Sequence, residues 1–143
     1  MFERLLHVSQ ARAGLGSHDV HHIIRSAHHR NSRFGLTGGL IFLDGHFVLL
    51  IEGEPFRLRE RFAIIAADPR HLNAEVRNTA SVPDRLFSGD WMALRLQGET
   101  DAGVLKQFDY QPGLPVASFD VQRLQDFVSA CCKAARRRSA EAR

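Results

Sequence analysis

Apolar positions change their period along the chain, and each change marks an element. Phe2 to Ser9 is short, mostly apolar and followed by Gly14 and Gly16, the pattern of an opening strand. Val20, Ile23, Ile24 and Ala27 then recur at helical spacing. With Ser17 as N-cap and Asp19 in the first turn, where a carboxylate favours the helix dipole, this predicts a helix over residues 18–30, ending before Gly35. Leu36 to Leu43 and Phe47 to Ile51 are nearly continuous apolar runs joined by Asp44-Gly45, a strong hairpin signal. Strands without polar alternation are usually covered on both faces.

Pro55 fits the first turn of a second helix, Leu58, Phe62 and Ile65 give that helix a buried face, and Asp68-Pro69 ends it. Glu75 to Ser81 and Trp91 to Leu96 read as a fourth and a fifth strand. The order is βαββαβ with an extra strand, an α+β, ferredoxin-like arrangement whose two helices share one face of the sheet. The other face needs a cover. Val121, Leu124, Phe127, Val128 and Cys131 form an apolar stripe on a last helix, capped by Ser118, which is expected to lie there. The segment 101–117 is broken by Pro and Gly and has room for one short helix.

Composition adds limits. With 143 residues, 44% hydrophobic and 24% charged, the chain has the size and balance of one globular domain. No apolar run approaches the roughly 20 residues that span a bilayer, and the start carries Glu3 and Arg4 rather than a signal-peptide layout. No membrane partner and a cytoplasmic location are therefore expected. The net charge of +3 is concentrated at the C-terminus, where five basic residues and one acidic residue follow Lys133 inclusive. The remaining charges nearly cancel, so nucleic acid is not an expected partner of the body. The adjacent Cys131 and Cys132 make no disulfide framework, and packing as small apolar residues is expected of them.

His18, His21, His22, His28 and His29 crowd the first helix, and His18 and His22 have the i,i+4 spacing that can share a metal. No nearby cysteine or acidic residue completes a site, so solvated histidines and no metal are expected. Asn31, near the end of the first helix, is read on its own as a helix C-cap. Gln10 to Gly16 holds Arg12 and two glycines but no phosphate-loop pattern, so an anion-cradling hydrolase on this topology is not expected.

Four motifs, in order, resemble one family. They are Asn31-Ser-Arg-Phe-Gly35-Leu-Thr37-Gly38; Phe47-Val-Leu-Leu-Ile-Glu52-Gly53; Asp68-Pro-Arg70-His71; and Phe87 to Met92. Together they make residues 1–100 similar to the BLUF family of flavin-binding blue-light sensors, with residues 101–138 as a helical extension and 139–143 as an unstructured basic tail. The resemblance implies a flavin, as FAD, between the two helices. It implies that Asn31 bonds the ring's polar edge, that Asp68 and Arg70 hold the pyrimidine side or the nearby chain, that Arg30 is a further polar contact and that Met92 is a soft neighbour of the ring. It also implies a sensory rather than enzymatic role, with a separate downstream protein as output. An apolar helix on a small domain adds self-association as an expectation.

The departures fall on the light-driven step. That step uses a Tyr in a Tyr-x-Ser setting on the first strand and a Gln on the third. Here those places hold His7, within His7-Val8-Ser9, and Leu49. An imidazole is a poorer electron donor than a phenol, and Leu49 has no hydrogen-bonding group. The family's Trp place holds Asp90, with Trp91 beside it, and Tyr110, the chain's only tyrosine, lies outside the motifs. Two functions follow as expectations: a flavin-binding sensory domain with an impaired or absent photocycle, or a flavin-free interaction module derived from such a sensor. In the first, His7, Ser9 and Leu49 line the flavin slot with Asn31, Arg30, Asp68, Arg70 and Met92.

Overall fold

A computed structural model describes residues 1–87, 93–95, 102–110 and 118–141. Its elements are β1 (Phe2–Ala11), α1 (Ser17–Phe34), β2 (Thr37–Leu43), β3 (His46–Gly53), α2 (Pro55–Ala66), β4 (His71–Val82), β5 (Ala93–Arg95), α3 (Ala102–Gln107) and α4 (Val121–Glu141). The strands form one sheet in the order β4-β1-β3-β2-β5. The first four run antiparallel to their neighbours, and β5 adds to the edge parallel to β2. This is the ferredoxin-like arrangement with its extra strand.

Local chemistry sets the element ends. Asp44 and Gly45 have φ of 49° and 74°, the doubly left-handed pair of a tight hairpin between β2 and β3. Pro55 opens α2, and the Glu54 carboxylate accepts from the N–H groups of Phe56 and Arg57, both at 3.1 Å. Four helix termini differ from the sequence expectation. Gly16, not Ser17, is the N-cap of α1, and its N–H donates to Asp19 Oδ2 at 3.0 Å. Asp120, not Ser118, caps α4, because its Oδ1 accepts from Arg123 N–H at 2.8 Å. Helix α1 runs to Phe34, past residue 30, and stops at Gly35 with φ 68°. Leu36 N–H donates back to the Asn31 carbonyl at 3.0 Å, so Gly35 ends the helix and Asn31 stands inside it rather than capping it. Helix α4 continues to Glu141, beyond the point where an unstructured tail was expected.

Alternation along the strands divides the core in two. Leu5, Leu40, Phe47, Leu49 and Ile51 pack with Val20, Ala27 and Leu36 and with Leu58 of α2. Leu6, Val8, Ile41, Leu43, Val48 and Leu50 face the other way, onto Leu124, Phe127, Val128 and Cys131 of α4. The last helix therefore covers the second face, as its apolar stripe implies. Each fully buried Leu, Val or Phe contributes about 1.5–3 kcal/mol. The close seat of α4 depends on Gly39, where a Cβ would stand 2.9 Å from Cys132 Sγ and 3.0 Å from the Phe87 ring.

Glu52 ties the sheet together. Its side chain is wholly buried and accepts from Arg4 Nε (3.2 Å), Thr37 Oγ1 (3.3 Å), Leu86 N–H (2.9 Å) and Phe87 N–H (2.5 Å). One carboxylate thus joins β1, β2, β3 and the chain after β4. A buried charge is tolerated only when paired and hydrogen-bonded to this degree.

Candidate functional site

The sheet face under α1 and α2 is not fully closed. A cleft of about 250 Å³ remains between the two helices. Its floor is His7 and Ser9 of β1, Leu40 of β2, and Phe47 and Leu49 of β3. Helix α1 contributes His22, Ile23, Ser26, Ala27 and Arg30; helix α2 contributes Arg61, Ile64 and Ile65. Asp68, Arg70 and His71 close the end where the chain leaves α2 for β4. The result is an apolar slot with cationic and hydroxylic groups at its polar end.

His7 is set deep in this floor, with 2% of its surface exposed. Its ring meets Phe62 edge-on at 5.1 Å between centroids and His71 at 5.7 Å. Burial, and then repulsion from His71, pushes its pKa from 6.5 down to about 4, so the imidazole is neutral near pH 7. Both ring nitrogens and the Ser9 hydroxyl are buried without a hydrogen-bond partner among the described residues. The β1–β4 register breaks between Leu6 and His7 and again between Val8 and Gln10. Such irregularities bend a strand and re-aim side chains, and these two bracket the residues that reach the cleft.

Asp68 and Arg70 form a local fork. Arg70 Nε lies 2.9 Å from Asp68 Oδ1, Nη2 lies 2.5 Å from Oδ2, and Arg70 N–H donates to Oδ1 at 2.9 Å. The paired guanidinium holds the Asp68 carboxyl below the usual carboxylate range. His71 is oriented by a 2.7 Å hydrogen bond between its Nε2 and the Ile65 carbonyl.

Of the side chains assigned to a slot from the sequence, His7, Ser9, Arg30, Leu49, Asp68 and Arg70 come together around one cleft. Asn31 is fully buried next to Arg30 but does not line the cleft. Met92, with Asp90 and Trp91, lies outside the described residues. Tyr110 packs on the opposite sheet face, stacked on Phe127 at 5.9 Å, with its hydroxyl donating to Asp44 Oδ2. The slot therefore holds no phenol. His18 and His22 are exposed, and no metal-binding cluster of three His, Cys, Asp or Glu exists among the described residues.

The lining residues that the sequence assignment missed include His22, Ser26, His71 and Arg61 among the polar ones. His71 stands within a quoted motif, next to Arg70. Arg61 carried a signal as well, since it falls three residues after Leu58 and four before Ile65, on the inward side of α2.

Known proteins resemble this chain in sequence and fold. The photoactivated adenylate cyclase subunit beta of Euglena longa is 30% identical over 87 residues, 61% of this chain, and its counterpart in Euglena gracilis is equally similar over the same length. The chain spans only 10% of those relatives. The dark-state structure of BlrB, a BLUF protein, superposes with a TM-score of 0.72 at 30% identity, covering 90% of this chain and 96% of that one. The photo-activated state of BlsA shares the fold, with a TM-score of 0.81 at 23% identity over 92% of this chain and 95% of that one. Residues 2–93 match the family described as BLUF, sensors of blue-light using FAD, and on that match the chain belongs to the BLUF family.

Proposed function

We propose that the cleft between α1 and α2 holds the ring of a flavin, as FAD, and that the bound flavin does not undergo the family's light-driven switch. The supporting observation is the set of unpartnered buried polar atoms at the cleft, His7 Nδ1 and Nε2 and Ser9 Oγ, beside an apolar floor and ceiling. Buried polar groups without partners are uncommon in folded chains and are usually met by water or a ligand. The lining fits a flavin ring. Ile23, Ala27, Leu40, Phe47 and Ile65 offer apolar surface to its faces, and Arg30 and Arg70 offer donors to its oxygen-rich edge.

Bound flavin supplies visible absorption and an excited state able to accept an electron. The chain's own residues determine whether that state is used. His7 replaces the phenol with a neutral imidazole wedged against Phe62, and Leu49 can neither donate nor accept a hydrogen bond. Leu49 packs against the ring and excludes water there, leaving any polar edge it faces unpaired at about 1–3 kcal/mol. Asn31 and Met92 are further proposed contacts, following the family's pattern.

Titration of the purified protein with FAD, followed by quenching of flavin fluorescence, tests the binding. Saturable uptake near one per chain is the expected result, and no uptake overturns it. Leu49 favours a second reading, in which the slot is filled by its own side chains and the domain is a flavin-free interaction module using α4 and the basic C-terminus against a partner or a second copy. In both readings the signal passes to a downstream effector protein, and a cytoplasmic location is part of the proposal; no described helix is long and apolar enough to cross a membrane.

A further inference from the structure

Helix α2 carries three arginines, Arg57, Arg59 and Arg61, and a fourth, Arg70, follows it; all but Arg61 have an ordinary partner. Arg57 lies over the Phe34 ring at 5.5 Å, Arg59 pairs with Glu3 at 3.3 Å, and Arg70 beyond the helix is held by Asp68. Arg61 is different. It is 6% exposed, lines the cleft, and has buried Nε and Nη1 atoms without a hydrogen-bond partner among the described residues.

Its surroundings do not neutralise it. Asp68 is near enough to act on its charge, but both Asp68 oxygens are engaged by Arg70, through contacts of 2.9, 3.1 and 2.5 Å. Arg30, on the facing helix, adds repulsion, and burial lowers the Arg61 pKa more than either neighbour does. A guanidinium cannot escape such a place by losing its proton near neutral pH. A buried cation with idle donors costs stability unless something brings acceptors to it. The side chain is also a rigid planar fork, suited to two oxygens or an oxygen and a ring nitrogen in one plane.

We propose that Arg61 is a ligand-binding residue of the cleft, donating from its fork to the acceptor edge of a planar ring lying between α1 and α2. The ring's identity rests on the flavin reading above; the role of Arg61 is tested separately. Two consequences follow. Without ligand, Arg61 is a burden, so Arg61→Leu stabilises the ligand-free protein. With ligand, Arg61 holds the ring, so the same substitution weakens binding.

The experiment compares wild type, Arg61→Leu and Arg61→Lys, each freed of flavin, in thermal unfolding and in titrations with riboflavin and with FAD. Arg61→Leu is expected to unfold at a higher temperature than wild type and to bind both flavins about ten- to hundredfold more weakly, the range of a charged hydrogen bond. Arg61→Lys keeps the charge but loses the fork, so its affinity falls between the two. An equal proportional loss for riboflavin and FAD places the contact on the shared ring; a loss confined to FAD places it on the diphosphate and overturns the ring-edge assignment. If wild type takes up no flavin while Arg61→Leu is still the more stable protein, the flavin reading fails and Arg61 stands as a binding group for another acceptor-bearing ring. An Arg61→Leu protein that is less stable and binds flavin unchanged overturns the proposal. Should that variant not fold, wild-type affinity in Arg61→Lys overturns it equally.

Discussion

His7 of β1 and Leu49 of β3 are direct cross-strand partners, and both line the cleft. Side chains at such paired positions stand about 4.5–5.5 Å apart at Cβ. If, as the resemblance implies, these are the places where the family carries its Tyr and its Gln, the two are one physical pair on a single floor, and both members are changed here. Neither can pass a proton or a hydrogen bond to the other, because Leu49 has no polar atom.

Restoring the pair tests its importance. Flavin-loaded His7→Tyr/Leu49→Gln protein is expected to show a small reversible red shift of the flavin absorption under blue light, measured as a light-minus-dark spectrum. Either single substitution leaves one partner missing and gives no shift. A double variant that binds flavin and remains unresponsive places the loss elsewhere, Asp90 being the first residue to change.

His7 also makes stability depend on pH. Its folded pKa of about 4 lies below the ordinary 6.5, so between these values the unfolded chain binds a proton that the folded chain refuses. Stability from this residue is complete above pH 6.5 and declines as pH falls toward 4, by on the order of 3 kcal/mol. Urea unfolding at pH 7 and pH 4.5 should show this loss in wild type and a smaller loss in His7→Phe. Equal losses in the two proteins would show that carboxylates alone account for it.

The Glu52 hub sets a separate expectation for the frame of the sheet. Glu52→Ala strands Arg4 and two backbone N–H donors, and breaking a buried ion pair from one side costs about 3–5 kcal/mol. Urea midpoints measure it directly. A change below 1 kcal/mol on such a scale would mean that water replaces the carboxylate at little cost.

Gly39 links β2 to the last helix. Gly39→Ala drives a methyl against Cys132 Sγ and the Phe87 ring, and overpacking of this kind costs about 1–3 kcal/mol. Cys132→Ala removes one of the two obstacles, so the double variant should recover part of the loss. A double-mutant cycle with no coupling would mean that α4 shifts freely on the sheet.

Much of this was legible from local pattern. The continuous apolar runs around Asp44-Gly45 specify a central hairpin buried on both faces, and the stripe on α4 specifies a second cover. Helix starts were less legible, because Gly16 is capped by Asp19 reaching back to a backbone N–H, a role that the hydroxyl of Ser17 disguises. The start of β4 lacks alternation because its register breaks opposite His7 and Ser9. Within the site, Arg61 reads like the other arginines of α2, and only the placement of that helix over the sheet turns it inward. The partners of Glu52 come from β1, from β2 and from beyond β4, so no spacing in the sequence announces them.

The most direct measurement is the visible spectrum of the purified wild-type protein supplied with FAD, recorded in the dark and again under blue light. Bound flavin in near one-to-one ratio and superimposable dark and light spectra are expected. A protein that stays colourless in excess FAD, or one whose flavin band shifts reversibly to the red on illumination, would contradict it.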